Sequence, residues 1–179
     1  MTRAALLALL LLLLCSRPLA LAQGKQDPLT PAEIDQLRDT ALDPEPRMKL
    51  YVEFARARLV ALEQMRADPK LTDRGQKTHA ALQDFLSVYD ELNDNLDNFE
   101  DRKADLRKAL KFIIEGDSEF EAKLRALKND ASTPRDEAKK YEFLLSDAID
   151  TVDMSAEDHR KLLTEQEAAA KHRKKSSKE

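Results

Sequence analysis

Apolar residues recur at alternating intervals of three and four between Leu82 and Leu127, and only Lys103 and Asp117 miss the pattern. This spacing places the apolar side chains along one side of a helix, where a second helix can cover them. The repeat therefore predicts one long, heptad-patterned, coiled-coil-like helix. Its apolar positions are Leu82, Phe85, Tyr89, Leu92, Leu96, Phe99, Leu106, Leu110, Ile113, Phe120, Leu124 and Leu127.

The segment from Asn93 to Asp105 is a polar waist within this repeat. A helix of about 50 residues, at 1.5 Å per residue, could pass straight through it, with or without a bend. Alternatively, the Asn- and Asp-rich segment Asn93 to Asn98 could be a turn between two shorter helices, because these residues are poor helix formers. We favour the continuous helix because a turn would preserve the apolar spacing only by chance. Gly116-Asp117 is a second weak point.

Three further helix starts follow from a capping residue placed before a proline. Thr30-Pro31, Asp43-Pro44 and Thr133-Pro134 each put a side-chain acceptor at the cap and proline in the first turn, where its missing N–H costs nothing. The helix after Asp43 is apolar on several sides, so we expect it to be central, with Arg56 or Arg58 paired to an acid. The predicted fold is all-α: an elongated bundle of about four helices over residues 30–170.

The first 22 residues have the pattern of a secretory signal peptide. A short basic start is followed by an apolar run from Ala4 to Leu14, and small residues Ala20 and Ala22 precede the expected cleavage after Ala22. The run is shorter than the about 20 apolar residues of a membrane span. Cleavage would remove Cys15, the single cysteine, unless Cys15 is lipidated instead. We therefore expect an exported protein, periplasmic or extracellular, without disulfides.

Charge is unevenly distributed along the exported chain. Without the first 22 residues, 28 basic and 34 acidic residues remain, and the excess of acids lies in the body. An acidic body disfavours general nucleic-acid binding, which depends on neutralising phosphates. Residues 171–179 form a basic tail that we expect to be disordered, as we do the lead-in at 23–29. The tail could contact anionic envelope surfaces through Lys171, Arg173, Lys174, Lys175 and Lys178, although a charged, solvated terminus is the default interpretation.

Four aspartates share one face of the predicted long helix: Asp90, Asp94, Asp97 and Asp101. They could bind a divalent cation weakly or contact a basic partner, or they could simply be solvated. A calcium-binding loop is not indicated, because Asn98 occupies the glycine position and Ala104 the closing carboxylate position.

The histidines His79, His159 and His172 lack the close spacing of a helical metal pair, so we expect each at the surface. Phosphate-loop, hydrolase and zinc-protease motifs do not occur in the sequence. We therefore predict no catalytic residue, no cofactor and no resident metal.

In composition, the chain resembles helical periplasmic chaperones and stress sensors of the Spy and CpxP kind. Their Leu-Thr-x-x-Gln signature is not matched, because Leu29-Thr30-Pro31-Ala32-Glu33 ends in glutamate. We therefore carry over no residue roles. The leading hypothesis is a non-enzymatic helical module that binds an unknown protein or itself. The alternatives are a chaperone-like holdase, which shields unfolded clients, and an envelope-surface protein that uses its basic tail.

Overall fold

A computed structural model describes residues 27–176, apart from the side chain of Lys174. The predicted signal peptide with Cys15, residues 23–26 of the predicted lead-in and Lys178 lie outside this range. Leu29, placed in the flexible lead-in by the sequence, is instead buried against the core. The lead-in prediction is therefore wrong for its last residues.

Six helices and no strand make up residues 27–176, which confirms the all-helical prediction. None of these helices is long and apolar enough to cross a bilayer. In chain order, the helices are α1 (Pro31–Arg38), α2 (Pro44–Ala67), α3 (Arg74–Asp101), α4 (Arg107–Lys128), α5 (Arg135–Ala138) and α6 (Glu142–Ser176).

Two of the three predicted starts begin the helices as expected. Thr30 and Glu33 form a capping box, in which each side chain accepts a hydrogen bond from the other residue's backbone N–H. The Asp43 carboxylate accepts from the backbone N–H of Glu45 at 3.2 Å. The third start differs: Thr133-Pro134 opens only the short α5, and α6 begins separately at Glu142.

The long helix predicted from Leu82 to Leu127 is divided into α3 and α4. The favoured continuous helix is therefore wrong, and so is the alternative turn at 93–98, because that segment is helical. The break lies at residues 102–106. There Lys103 adopts a left-handed conformation (φ 58°), and the backbone N–H of Ala104 donates to the carbonyl of Phe99, as in a Schellman helix end. Leu106 lies in the turn but is fully buried, which preserves the apolar spacing.

The four long helices pack in a defined order. α2 packs against α3 and α4, and α6 packs against α4 and α3. The consecutive helices α3 and α4 are thus diagonal to each other, and their side chains meet in the core, where the rings of Phe85 and Phe120 are 5.5 Å apart. Gly116 permits the close approach of α2 to α4, because a Cβ there would lie 2.8 Å from the Val52 side chain. Gly116-Asp117, named above as a weak point, does not interrupt α4, and both residues are buried.

The last helix extends further than the sequence predicted. α6 continues to Ser176, so residues 171–176 are helical, and the disordered tail predicted over 171–179 is wrong for that part. The described side chains of residues 171–176 are exposed.

Candidate functional site

A carboxylate is buried in the middle of the helical body. Asp117 in α4 is 1% exposed, and both of its oxygens have partners. The Tyr89 hydroxyl of α3 donates to Oδ1 at 2.7 Å, and His159 Nδ1 of α6 lies 2.8 Å from Oδ2. An ionised carboxylate in an apolar core needs such donors, because burial without them is costly. Asp117 therefore joins three helices through hydrogen bonds.

Tyr89 acts as a donor in this arrangement. Burial raises the pKa of Tyr89 far above its usual value of 10.0, and the negative charge of Asp117 raises it further. The Tyr89 phenol therefore stays protonated, and its hydroxyl donates its hydrogen bond to Asp117. Ser155 of α6 makes a hydrogen bond to Tyr89 that favours the phenolate, so Ser155 acts as donor to the phenol oxygen.

The hydrogen-bond chain continues from Ser155 toward the surface. The Asn93 side-chain amide of α3 donates to Ser155 Oγ at 3.1 Å. Every donor in the series Asn93, Ser155, Tyr89 thus points inward, toward Asp117. This direction leaves Asn93 Oδ1 buried and without a hydrogen-bond partner in the described residues.

A cleft of about 350 Å³ opens between α3 and α6 above this network. Asn93, Ser155 and His159 line its inner part, and Leu96 and Leu162 supply apolar surface. Five charged residues also line it: Asp97, Glu100, Asp158, Lys161 and Glu165. Four carboxylates against one ammonium group give the cleft a net negative charge.

His159 and Asp117 form a pair like the base and orienting acid of many enzymes, but such a pair acts on a hydroxyl or thiol held at the second ring nitrogen. Ser155 Oγ is instead engaged by Asn93 and Tyr89, and no described side chain is hydrogen-bonded to His159 Nε2. In residues 27–176, no group of three or more His, Cys, Asp and Glu side chains is placed to hold a metal ion.

The predicted acidic face contributes one residue to this cleft. All four of its aspartates are exposed on α3, and only Asp97 also lines the cleft. On the predicted basic tail, Lys171, Arg173 and Lys175 are exposed at the end of α6. These basic residues are not among those that line the cleft.

The centre of the site was not predicted from the sequence. His159, predicted at the surface, is 4% exposed, so that prediction is wrong. A signal was present, because His159 continues the apolar spacing of Val152 and Ala156 along α6. Asp117 likewise appeared as the polar residue in an apolar repeat. Comparison with protein-family models, curated proteins and solved structures finds no match for the chain.

Proposed function

We propose that this chain is a non-enzymatic, exported helical protein that acts by binding another protein, and that the cleft between α3 and α6 is its binding site. The observation that carries the proposal is the open end of the buried network. His159 lines the cleft, and no described residue is hydrogen-bonded to its Nε2, although its Nδ1 faces Asp117. A group from outside the chain could complete the hydrogen bonding of this ring nitrogen.

The helices that flank the cleft support a binding role. We further propose that α2, α3, α4 and α6 act as one elongated four-helix bundle, with coiled-coil-like packing along α3 and α4. A site on rigid helices is held more precisely than a site on loops. Export is proposed from the predicted signal peptide, which would deliver the mature protein to the periplasm or the exterior.

Affinity capture with matched baits tests the binding role. Three mature baits are immobilised: the wild type, Asp97→Arg/Asp158→Arg at the cleft, and Asp147→Arg/Asp150→Arg on an exposed part of α6 outside it. From the native envelope, we expect the wild type and the control to retain the same protein, and the cleft variant to lose it. Equal recovery on all three baits would contradict the proposal, as would no retained protein.

The exposed end of α6 favours a second candidate function, contact with an anionic envelope surface. Lys171, Arg173 and Lys175 are exposed near the end of α6, where they could approach a surface without unfolding the helix. Arg173 also lies near Asp105 of the turn at 102–106. Each basic residue near an anionic membrane contributes about 1 kcal/mol.

Vesicle cosedimentation tests this second function. We expect the wild type to cosediment with phosphatidylglycerol vesicles and Lys171→Gln/Arg173→Gln/Lys175→Gln to remain in solution. The control Lys70→Gln/Lys77→Gln/Lys139→Gln removes equal charge from exposed positions elsewhere and should bind as the wild type does. If both variants remain in solution, net charge and not the α6 end determines the interaction.

A further inference from the structure

We propose that the cleft between α3 and α6 receives a lysine or arginine side chain from a basic segment of the partner protein. This inference rests on the proposed binding function and adds the chemistry of the partner. It is carried by two features of the cleft: the second ring nitrogen of His159 on the floor, which has no partner among the described residues, and the unpaired carboxylates on the rim.

The floor of the cleft presents a ring nitrogen of His159. His159 is 4% exposed, and its Nδ1 faces the Asp117 carboxylate at 2.8 Å, so that nitrogen carries the proton. When the imidazole is neutral, Nε2 is therefore an acceptor, and no described residue is hydrogen-bonded to it. Asn93 Oδ1 also has no partner, but it is covered from solvent, so a ligand would reach it only if the Asn93 amide moved. The chemistry of the floor at His159 Nε2 fits a ligand that brings N–H groups.

The rim selects for positive charge. Asp97, Glu100, Asp158 and Glu165 are exposed, and none of them forms an ion pair with a described basic side chain. Lys161 alone offsets them in the cleft lining. The excess of negative charge disfavours anions and attracts a cation.

The cation is better matched by an organic group than by a metal ion. The described carboxylates and histidine do not converge in a group of three that could hold a metal. An ammonium or guanidinium group, in contrast, carries several N–H donors and can bridge acceptors that are further apart.

The apolar part of the cleft fits the stem of such a side chain. Leu96 and Leu162 line the cleft beside its polar floor. Lysine and arginine side chains bury their methylene groups against apolar surface while the charged end stays with polar partners. A volume of about 350 Å³ lies at the lower end of the range for ligand pockets, which suits one side chain.

A titration followed by NMR tests this proposal. The probe is a peptide with the sequence of this chain's residues 171–179, KHRKKSSKE, and the control peptide has glutamine at each lysine and arginine. We expect only the basic peptide to shift the Asn93 side-chain amide and the His159 ring nitrogens. Raising the salt concentration from about 50 to about 500 mM should weaken the effect. Equal shifts with the glutamine peptide would overturn the proposal.

Matched variants locate the contact. Asp97→Asn/Glu100→Gln/Asp158→Asn/Glu165→Gln should lower the affinity by about tenfold or more. Asp147→Asn/Asp150→Asn, on the same helix outside the cleft, should leave the affinity unchanged. All these substitutions are at exposed positions, and circular dichroism checks that the helices persist. Wild-type affinity in the rim variant would overturn the proposal.

Two further outcomes separate this inference from the proposed function. If spermidine binds as tightly as the peptide and competes with it, the ligand is a free amine and the inference is overturned. If neither probe binds while affinity capture still retains a protein through the cleft, the basic-segment inference is wrong and the proposed function stands. Concentration-dependent association of the wild type, abolished by deleting 171–179, would identify a second copy as the source of the basic segment.

Discussion

Arg58 and Glu33 connect α2 to α1 through a two-pronged ion pair. Arg58 Nη1 and Nη2 donate to the two Glu33 carboxylate oxygens at 2.7 and 2.8 Å, and Nη2 also donates to the carbonyl of Pro28. These hydrogen bonds from Arg58 lower the pKa of Glu33 to about 2, although burial opposes the change. Pairing of Arg56 or Arg58 with an acid was predicted from the sequence, and both residues are paired, since Arg56 contacts Glu119.

Glu33→Gln should destabilise the protein by about 1–3 kcal/mol at neutral pH, because Arg58 would remain largely buried without a charged partner. Since the pKa of Glu33 is lower in the folded state, its contribution is present above the ordinary value of 4.5 and is lost as the pH falls toward about 2. The difference between wild type and variant should therefore shrink in acid. Urea unfolding at several pH values measures it.

Asp35→Asn is the matched control for this prediction. Asp35 lies on the same short helix and pairs with Arg38, but both side chains are mostly exposed. Exposed pairs contribute little, so this variant should change stability by less than about 0.5 kcal/mol. A loss equal to that of Glu33→Gln would contradict a specific role for the buried pair.

At the scale of the elements, the turn between α3 and α4 lies at 102–106 and not at 93–98, where the sequence offered a turn as the alternative. The Asn-rich segment before it remains helical because its amides find partners: Asn95 donates to the Tyr51 hydroxyl and accepts from Arg47, and Asn93 donates to Ser155. Such contacts between distant segments override weak helix propensity, and propensity alone cannot foresee them.

Gln166 of α6 stabilises the turn itself. Its side-chain oxygen accepts from the backbone N–H of Leu106 at 2.8 Å, and its amide donates to the carbonyl of Ala104. The turn is thus fixed by a residue 60 positions away in the sequence, which no local pattern reveals.

Lys103→Gly should stabilise the protein by about 0.5–1 kcal/mol. Lys103 holds a left-handed conformation that costs about 1–2 kcal/mol for a residue with a Cβ, and glycine removes that cost while adding some unfolded-state entropy. The control is Arg102→Gly, because Arg102 has an ordinary helical φ of −78° and should lose about 1 kcal/mol. Thermal and urea unfolding compare the two variants, and a shared sign would contradict the explanation.

At the scale of the whole molecule, the sequence predicted the parts better than their arrangement. The apolar spacing correctly marks buried positions such as Leu92 in α3 and Leu110 in α4, because helix periodicity is a local property. The diagonal placement of α3 and α4 depends on which faces meet in space, and no spacing encodes it.

The candidate site was harder still to predict. Tyr89, Asp117 and His159 lie on three helices, with Asp117 28 residues from Tyr89 and 42 from His159. Each is recognisable at most as a polar or amphipathic residue at an apolar position. Only the packing of α3, α4 and α6 shows that they share one hydrogen-bond network.

Asp117 also makes the opening of these helices interdependent. If α6 separated from the body, Asp117 would lose the imidazole of His159, and Tyr89 would lose Ser155, while the carboxylate stayed among apolar side chains. Removing one partner of a buried charge costs several kcal/mol beyond the apolar surface that is exposed. Partial unfolding of α6 alone is thereby disfavoured, and we expect the backbone amides at this level to exchange with solvent only when the core opens as one cooperative unit.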